Sequence, residues 1–349
     1  MQSRIDRLLN NIDEGSAVLI SGYPNIFYYS GFTSEDAWLI ISKNTRLLIT
    51  DSRYTIQARS QAEGFDIADI KEGWEKLLKN ISEEQLVFEE DKMNVGEYKR
   101  LKAAAPGKIF VQGQELIDRP RRVKDAAELE LIAAAEKIGD DAFSHMLRYI
   151  REGMTEREIA LELETHMKKN GAEGLSFATI AASGERSAMP HGTASGKRIE
   201  KGDFLTLDFG CVYKGYCSDM TRTVVIGRAD ERQREIYSVV LRAQEKALEG
   251  IYEGIGCAEA DALARRVIED AGYGGNFGHA LGHSVGIEIH ERPNFSPRSK
   301  DKLENGNVMS VEPGIYIDGF GGVRIEDLIA VRDREIINFS HSPKQLIEL

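Results

Sequence analysis

The feature that most constrains the fold is an internal repeat in the second half of this 349-residue chain. A long predicted helix over 126–150 is followed by a glycine-containing turn and a second predicted helix. The segment 232–251 repeats this plan with its own turn and second helix. Each helix pair precedes a glycine-rich region and a predicted β-hairpin, over 204–225 and 308–331. The second half is therefore predicted to be a duplicated α+β unit of two helices plus antiparallel strands.

The first 120 residues have a different pattern, in which short β-branched and aromatic runs alternate with amphipathic helical segments. The predicted strands are Ala17–Ser21, Ala37–Ser42, Arg46–Thr50 and Leu86–Glu89, and the predicted helices are Tyr54–Ala62, Glu72–Lys79 and Val95–Ala104. The charged stretch Asp118–Lys124 contains Pro120 and has no apolar periodicity, so the domain boundary is predicted there. We expect a small α/β domain over 1–120 and a second domain over 124–349.

Charge and composition exclude several classes of function. The chain has 45 Lys and Arg against 57 Asp and Glu, a net charge of −12 that would repel nucleic acid. No run of 18 apolar residues exists, and the charged first 14 residues do not resemble a signal peptide, so no membrane association is expected. The chain has only three cysteines, a small and odd number that does not suit a disulfide framework, and this favours a cytoplasmic protein.

Two aspartates in the first hairpin are predicted to share one face of the sheet. With Lys214-Gly215 as a two-residue turn, Asp219 lies opposite Gly210. Because side chains alternate along a strand, Asp208 and Gly210 point to the same side. Asp208 and Asp219 therefore become diagonal neighbours, and two like charges at that separation need a cation or a shared proton.

Two glutamates in the second hairpin show the same arrangement. A three-residue loop at Asp318-Gly319-Phe320 sets Glu312 directly opposite Glu326 on one face. A single strand carboxylate is usually a solvated surface residue, but the shared face of both pairs argues against that interpretation. Four carboxylates on two repeated hairpins indicate a site for divalent cations, and two cations sharing bridging carboxylates would fit it.

Histidines in glycine-flanked segments are candidates to complete this site. Four of the seven histidines lie in such segments: His191, His279, His283 and His290. Loop positions favour a functional role over a packing role. We interpret the remaining three histidines and one nearby thiol as structural: His145, His166, His341 and Cys217.

Taken together, these motifs resemble those of the pita-bread metallopeptidases, in the branch of Xaa-Pro dipeptidase (prolidase) and aminopeptidase P. The resemblance spans nearly the whole chain and is more specific in the second domain. Its motifs there are Leu207-Asp208-Phe209-Gly210, Tyr216 to Thr223, Gly282-His283, Val311 to Tyr316 and Val323 to Asp327. In the first domain, Tyr29 to Phe32 and Thr50 to Tyr54 resemble the family's smaller α/β domain.

The resemblance implies a function and a role for each matching residue. It implies hydrolysis of Xaa-Pro bonds in small peptides by a homodimer with two divalent cations per chain, Mn²⁺ first, with Co²⁺ or Zn²⁺ as alternatives. Asp208 would bind one cation, His283 and Glu312 the other, and Asp219 and Glu326 would bridge them. The remaining implied roles are catalytic for His191, His279, His290 and Glu312, and substrate-binding for Tyr316 and Arg324.

One departure from the family pattern leaves the substrate size open. Many prolidases have an arginine directly after the proline of a His-Glu-Xaa-Pro segment, where it holds the substrate carboxylate, and this chain has Asn294 there. Aminopeptidase P, which takes longer Xaa-Pro peptides, is therefore the main alternative. Methionine aminopeptidase normally lacks the first domain, and creatinase-like hydrolases or non-enzymatic peptide-binding relatives would be expected to have lost ligands that this chain retains.

Overall fold

The computed structural model describes residues 2–349 and divides into two compact units. The first unit ends at Arg121 and the second begins at Arg122. Among the described residues, no helix combines the length and the apolar character that crossing a membrane requires. The first unit contains an apolar core, and the second contains two.

A mixed six-stranded sheet in the order β4-β3-β2-β1-β5-β6 forms the centre of the first unit. Its strands are β1 (Ser16–Ile20), β2 (Ala37–Ile41), β3 (Arg46–Thr50), β4 (Asp66–Asp69), β5 (Gln85–Phe88) and β6 (Ile109–Gln112). Its helices are α1 (Gln2–Leu9), α2 (Tyr23–Ser30), α3 (Thr55–Gln61), α4 (Trp74–Lys79), α5 (Val95–Ala104) and α6 (Gln114–Arg122), whose last residue falls in the second unit. The apolar runs that predicted β1, β2 and β3 are buried in the sheet, which accounts for their correct prediction.

The charged stretch in which the domain boundary was predicted, although it lacks apolar periodicity, belongs to helix α6 as far as Arg122. Pro120 lies inside this helix and is buried together with Ile117. The Tyr29 hydroxyl donates to the Ile117 carbonyl at 2.7 Å, and the Tyr28 hydroxyl donates to the Pro120 carbonyl at 2.9 Å. These tertiary hydrogen bonds reach one carbonyl in the middle of α6 and one in its last turn, and nothing in the local sequence pattern encodes them.

The second unit has the predicted duplication. Its two helix pairs are α7 (Ala126–Tyr149) with α8 (Glu156–Lys169), and α9 (Glu231–Gly250) with α10 (Cys257–Asp270). Capping boxes open α7, α8 and α9, the second of them being the Thr155–Glu158 box visible in the sequence. The second unit has two apolar cores, one beneath each helix pair.

The strands of the second unit form two sheets under the helix pairs and two smaller ribbons. The first repeat contains β7 (Gly174–Leu175), β8 (Ile180–Ser183), β9 (Phe204–Phe209), β10 (Cys211–Tyr213), β11 (Tyr216–Cys217) and β12 (Met220–Val225). The second contains β13 (Gly282–Ser284), β14 (Glu291–Phe295), β15 (Val308–Val311), β16 (Gly314–Ile317), β17 (Gly321–Arg324), β18 (Asp327–Arg332) and β19 (Glu335–Asn338). Each predicted hairpin is thus divided into an inner and an outer pair of strands.

The register of the first hairpin is the predicted one. Thr221 pairs with Asp208 in β12 and β9, and Cys217 pairs with Val212 in β11 and β10. One continuous register joins these pairs and sets Asp219 opposite Gly210. A Cβ at residue 210 would lie 1.9 Å from the Ser218 carbonyl oxygen, so only glycine allows the strands to approach this closely.

The second hairpin follows the same rule. Val311 pairs with Asp327 in β15 and β18, and Gly314 pairs with Arg324 in β16 and β17. The shared register sets Glu312 opposite Glu326, as predicted. Asp219, Glu312 and Glu326 lie at the interruptions between inner and outer strand pairs, whereas Asp208 lies in β9, one residue before its end.

Candidate metal centre

Three carboxylates converge in the second unit. Asp208, Asp219 and Glu326 each offer one ligand atom, and these atoms all lie within 4.8 Å of one another. Asp219 is 4% exposed and Glu326 is 2% exposed. The two hairpins therefore bring acidic residues from both repeats into one buried cluster.

His283 and Glu312 extend this cluster. The Nε2 atom of His283 lies 3.4 Å from Oδ2 of Asp219 and 3.4 Å from Oε1 of Glu312. The Nδ1 atom of His283 lies 3.3 Å from the Ser284 carbonyl oxygen, which can only accept a hydrogen bond. Nδ1 therefore carries the hydrogen and the Nε2 lone pair points toward the carboxylates, as a metal ligand requires. The five predicted ligands are thus near neighbours.

The electrostatics of the cluster require a compensating positive charge. Burial, and then repulsion from Glu326 and Asp208, raises the pKa of Asp219 well above its ordinary value. Burial likewise raises the pKa of Glu326 and of Glu312. Within the described residues, Oδ1 of Asp208 and Oε1 of Glu326 are buried without a hydrogen-bond partner. Divalent cations would satisfy these oxygens and offset the repulsion, so the residues present fit a metal centre.

A chain of hydrogen bonds connects Asp208 to His279. Arg324 donates from Nη2 to Oδ2 of Asp208 at 2.5 Å and from Nη1 to the Tyr316 hydroxyl at 2.7 Å. The Tyr316 hydroxyl lies 2.9 Å from Nε2 of His279. Burial raises the pKa of Tyr316 to about 12, so its proton remains in place at neutral pH. Tyr316 and Arg324, which the resemblance implies contact substrate, therefore also fix the position of a candidate ligand.

Both ring nitrogens of His279 are engaged by the protein. Nδ1 lies 2.8 Å from the Ala280 carbonyl and must donate to it, so the Nε2 atom of the neutral ring accepts from Tyr316. Burial lowers the pKa of His279 and favours this neutral form. A direct contact between His279 and substrate would require one of these two bonds to break.

His191 and His290 lie beside the cluster and are exposed. The ring centroid of His290 is 4.5 Å from that of His283. Burial, followed by the charges of His283 and His191, lowers the pKa of His290. His191 has the same electrostatic effect on His279, so the structure brings the three predicted catalytic histidines to one place.

Comparison with known families agrees with this site. The sequence matches the description "Metallopeptidase family M24" over residues 130–333 and "Creatinase/Prolidase N-terminal domain" over residues 4–123. The chain belongs to metallopeptidase family M24. It is therefore a peptidase that uses divalent metal, with a small creatinase-type domain preceding the duplicated α+β catalytic domain.

Relatives of this M24 peptidase match over almost the full chain. The structure of an Xaa-Pro dipeptidase from Bacillus anthracis superposes with a TM-score of 0.96 at 43% identity, covering 100% of this chain and 99% of that one. An X-Pro aminopeptidase structure from Thermotoga maritima superposes with a TM-score of 0.92 at 39% identity, covering 99% and 100%. An Xaa-Pro dipeptidase from Pyrococcus horikoshii is 38% identical over 99% of both sequences.

Two buried glutamates of the peptidase were missed by the sequence analysis. Glu136 of α7 accepts the Asp219 backbone N–H at 3.2 Å and the Ser340 hydroxyl at 2.5 Å, and burial raises its pKa to about 8. Glu136 occupies an apolar-stripe position four residues after the buried Ile132. A charged residue on the apolar stripe of a helix is the sequence signal that could have identified it.

The second missed residue is Glu156, which holds both ends of the loop that carries His191. Its Oε1 accepts the Ser183 N–H at 2.8 Å and its Oε2 accepts the Ser195 N–H at 2.9 Å. Because Glu156 follows an N-cap threonine, the sequence gives it an ordinary role in the first helical turn. Its partners lie 27 and 39 residues away, so local pattern does not identify them.

The residues interpreted as structural lie away from the carboxylates or pack as expected. His145 and His166 stack on each other between α7 and α8, with ring centroids 4.3 Å apart. The backbone N–H of His341 donates to Asp140. The Cys217 thiol is buried and donates to the Ile287 carbonyl, and burial raises its pKa to about 12. The interpretation of Cys217 as a packed core thiol is thereby confirmed.

Proposed function

We propose that this M24 metallopeptidase is an Xaa-Pro dipeptidase (prolidase). The observation that carries the proposal is the full-length match to an Xaa-Pro dipeptidase structure at 43% identity. The carboxylate and histidine cluster supplies the chemistry that such an enzyme needs. Its substrates would be small peptides with proline at the second position, hydrolysed by the domain over 124–349.

We assign Asp208 to one cation, His283 and Glu312 to a second, and Asp219 and Glu326 to both. Mn²⁺ is the proposed ion because the family resemblance implies it and a set of carboxylates with one imidazole suits it, with Co²⁺ and Zn²⁺ as the other ions to compare. When bound, such cations polarise a scissile carbonyl and bring the pKa of a water molecule near neutrality.

The protein groups then handle protons and orientation. A bond to proline is a tertiary amide without an N–H, so its nitrogen must be protonated as it leaves. Glu312 is the proposed proton carrier, because the Ser310 hydroxyl donates to its Oε1 at 3.0 Å and burial raises its pKa. His290 and His191 would donate hydrogen bonds to the substrate oxygen. We assign His279 the role of orienting Tyr316, since both of its nitrogens are already bonded.

The decisive assay compares peptides of two lengths. We expect the Mn²⁺-loaded protein to cleave an Xaa-Pro dipeptide with a higher kcat/KM than an Xaa-Pro tripeptide, and to leave an Xaa-Ala dipeptide intact. Asp219→Asn, purified identically, controls for contaminating peptidases. Predominant cleavage of the tripeptide would overturn dipeptidase specificity, and absence of cleavage at proline would overturn the function.

An Xaa-Pro aminopeptidase acting on longer peptides is the second candidate. The similarity to the X-Pro aminopeptidase structure from Thermotoga maritima favours it, as does Asn294. Asn294 pairs with His283 across β14 and β13, and directly paired residues face the same side of a sheet. Asn294 carries no positive charge there to bind the free carboxylate of a dipeptide.

We also propose a cytoplasmic homodimer. All three cysteines are unpaired and buried, which suits a reducing compartment. The dimer rests on the family resemblance, and the mass of the intact protein in solution, measured by light scattering, tests it.

Variants of two histidines should separate metal binding from catalysis. His283→Ala removes a proposed ligand, so metal content and turnover should fall together. His290→Ala should lower kcat by about 10²-fold with metal retained, because a hydrogen-bond donor to substrate does not anchor the ion. Elemental analysis of the two purified variants distinguishes them. Loss of metal in His290→Ala with retention in His283→Ala would show that the two roles had been exchanged.

A further inference from the structure

Lys124, from the charged stretch that the sequence analysis treated as a boundary, is buried in the second unit at 4% exposure. Its Nζ donates to Oε2 of Glu291 at 3.0 Å and to the Ser284 hydroxyl at 3.0 Å. Ser284 and Glu291 follow His283 and His290 directly in the sequence. One ammonium group thus contacts the residues adjoining a proposed metal ligand and a proposed catalytic histidine.

Glu291 in turn organises the loop between these histidines. Its Oε1 accepts the backbone N–H groups of Ile287 and Glu288 at 3.1 and 3.2 Å. A Cβ on Gly286 would lie 2.5 Å from Oε2 of Glu291, so the glycine leaves room for the carboxylate against the loop. These contacts close the segment 286–291 around the Glu291 side chain.

Hydrogen bonds within the second unit hold the backbone on which the Lys124 side chain is mounted. The Lys124 N–H donates to the Gly306 carbonyl at 2.8 Å, and the Arg122 carbonyl accepts from the Asn307 side chain at 2.9 Å. The Lys124 and Glu291 side chains are only 1% and 5% exposed. Burying two charges has a large desolvation cost, so such a pair often adds little stability over apolar residues. A geometric role explains its presence better than a contribution to stability does.

We propose that Lys124 and Glu291 are positioning residues that hold the 286–291 loop so that His290 faces the metal cluster. The proposal rests on the proposed function for the role of His290. Without the ammonium, the buried Glu291 carboxylate would lose the cation that contacts its Oε2 and would draw away from the loop toward water. His290 would then sample several orientations, whereas His283, held in the sheet by β13, would keep its place.

The test uses the full-length protein with Lys124→Met, Glu291→Gln and the double variant. We expect kcat to fall about 10- to 100-fold with KM and metal content near those of the unmodified protein, the size of effect seen when supporting residues of a metal site are removed. The double variant should lose no more than the worse single variant, because both act through one contact. Amide hydrogen exchange over 285–290, measured on metal-free protein, should be at least about tenfold faster.

Leu163→Ala is the matched control, because it destabilises the same unit by emptying a buried site in α8, in the apolar core beneath the first helix pair, whereas β14 packs in the other core. Its kcat and its exchange over 285–290 should be unchanged. If Glu291→Gln and Lys124→Met behave like Leu163→Ala in both measurements, the positioning role is rejected. If the unmodified protein does not cleave Xaa-Pro peptides, the proposed function fails, and the exchange measurement still decides whether the pair orders the loop.

Discussion

Replacing Asp219 with asparagine should remove metal binding and hydrolysis together while the fold is retained. Asp219 offers an oxygen within 4.8 Å of ligand atoms of Asp208 and Glu326, and its Oδ2 lies 3.4 Å from Nε2 of His283, so it is close to three of the other four proposed ligands. If Asp219 is the bridging ligand proposed above, its loss should remove about 4 kcal/mol or more of metal-dependent transition-state stabilisation, which corresponds to a fall in kcat of about 10³-fold or more. Asparagine is nearly isosteric, and its backbone N–H still donates to Glu136.

In the metal-free protein, by contrast, Asp219→Asn should leave the thermal stability unchanged or raise it. Burial and repulsion raise the pKa of Asp219, so folding disfavours its charged form. A raised carboxyl pKa means that stability falls as pH increases from the unfolded-state value toward the folded-state value. Asp219→Asn removes this penalty, so in chelator at pH 7 the variant should unfold at the same or a higher temperature than the unmodified protein.

Asp51→Asn is the control for this substitution. Asp51 lies in the first unit, where its side chain accepts from Arg53, and we expect metal content and turnover to be unaffected. Elemental analysis, steady-state kinetics and thermal unfolding with and without chelator are the measurements. Near-normal activity with two metals per chain in Asp219→Asn would reject its assignment as a bridging ligand.

The acidic pairs could be predicted from sequence because turn geometry fixes their register. Lys214 and Gly215 both adopt positive φ, 47° and 81°, the conformation that a two-residue hairpin turn requires. Once the turn is fixed, strand alternation determines which side chains share a face, so Asp208 and Asp219 follow without any tertiary information. The same logic sets Glu312 opposite Glu326 around Gly319.

Other parts of the site depend on contacts that no local pattern encodes. Sequence shows two acidic pairs, but the convergence of Asp208 with Glu326 depends on how the two repeats pack. The sequence pattern did not identify the buried charged residues, because Lys124, Glu136 and Glu156 look like solvated residues until their distant partners are known. The burial of α6 was missed for the same reason.

Among the substitutions proposed for this protein, Arg222→Met should cause the largest loss of unfolding free energy. Arg222 is 1% exposed and donates from Nη2 to Oδ1 of Asp327 at 2.8 Å, with further bonds to the Ser342 and Glu326 carbonyls. Removing it leaves Asp327, itself 0% exposed, without its guanidinium partner. Breaking a buried pair in this way typically costs about 3–5 kcal/mol. Arg234→Met, which breaks a surface pair with Glu348, should cost much less, because solvent screens an exposed ion pair.

The pH dependence of the stability lost in Arg222→Met shows whether the ion pair with Asp327 is the cause. Burial alone would raise the pKa of Asp327, but Arg222 and Lys344 beside it hold the value below its ordinary range. A lowered carboxyl pKa stabilises the fold above the unfolded-state pKa, and that contribution disappears as pH falls through the folded-state pKa. The difference in unfolding free energy between unmodified protein and Arg222→Met should therefore narrow as pH falls from about 4, the ordinary aspartate pKa, through the lower folded-state pKa at which Asp327 is protonated. Denaturant unfolding of both proteins at a series of pH values measures this difference. If the difference does not change with pH, Arg222 stabilises the fold by packing and by its hydrogen bonds to carbonyls rather than through the charge of Asp327.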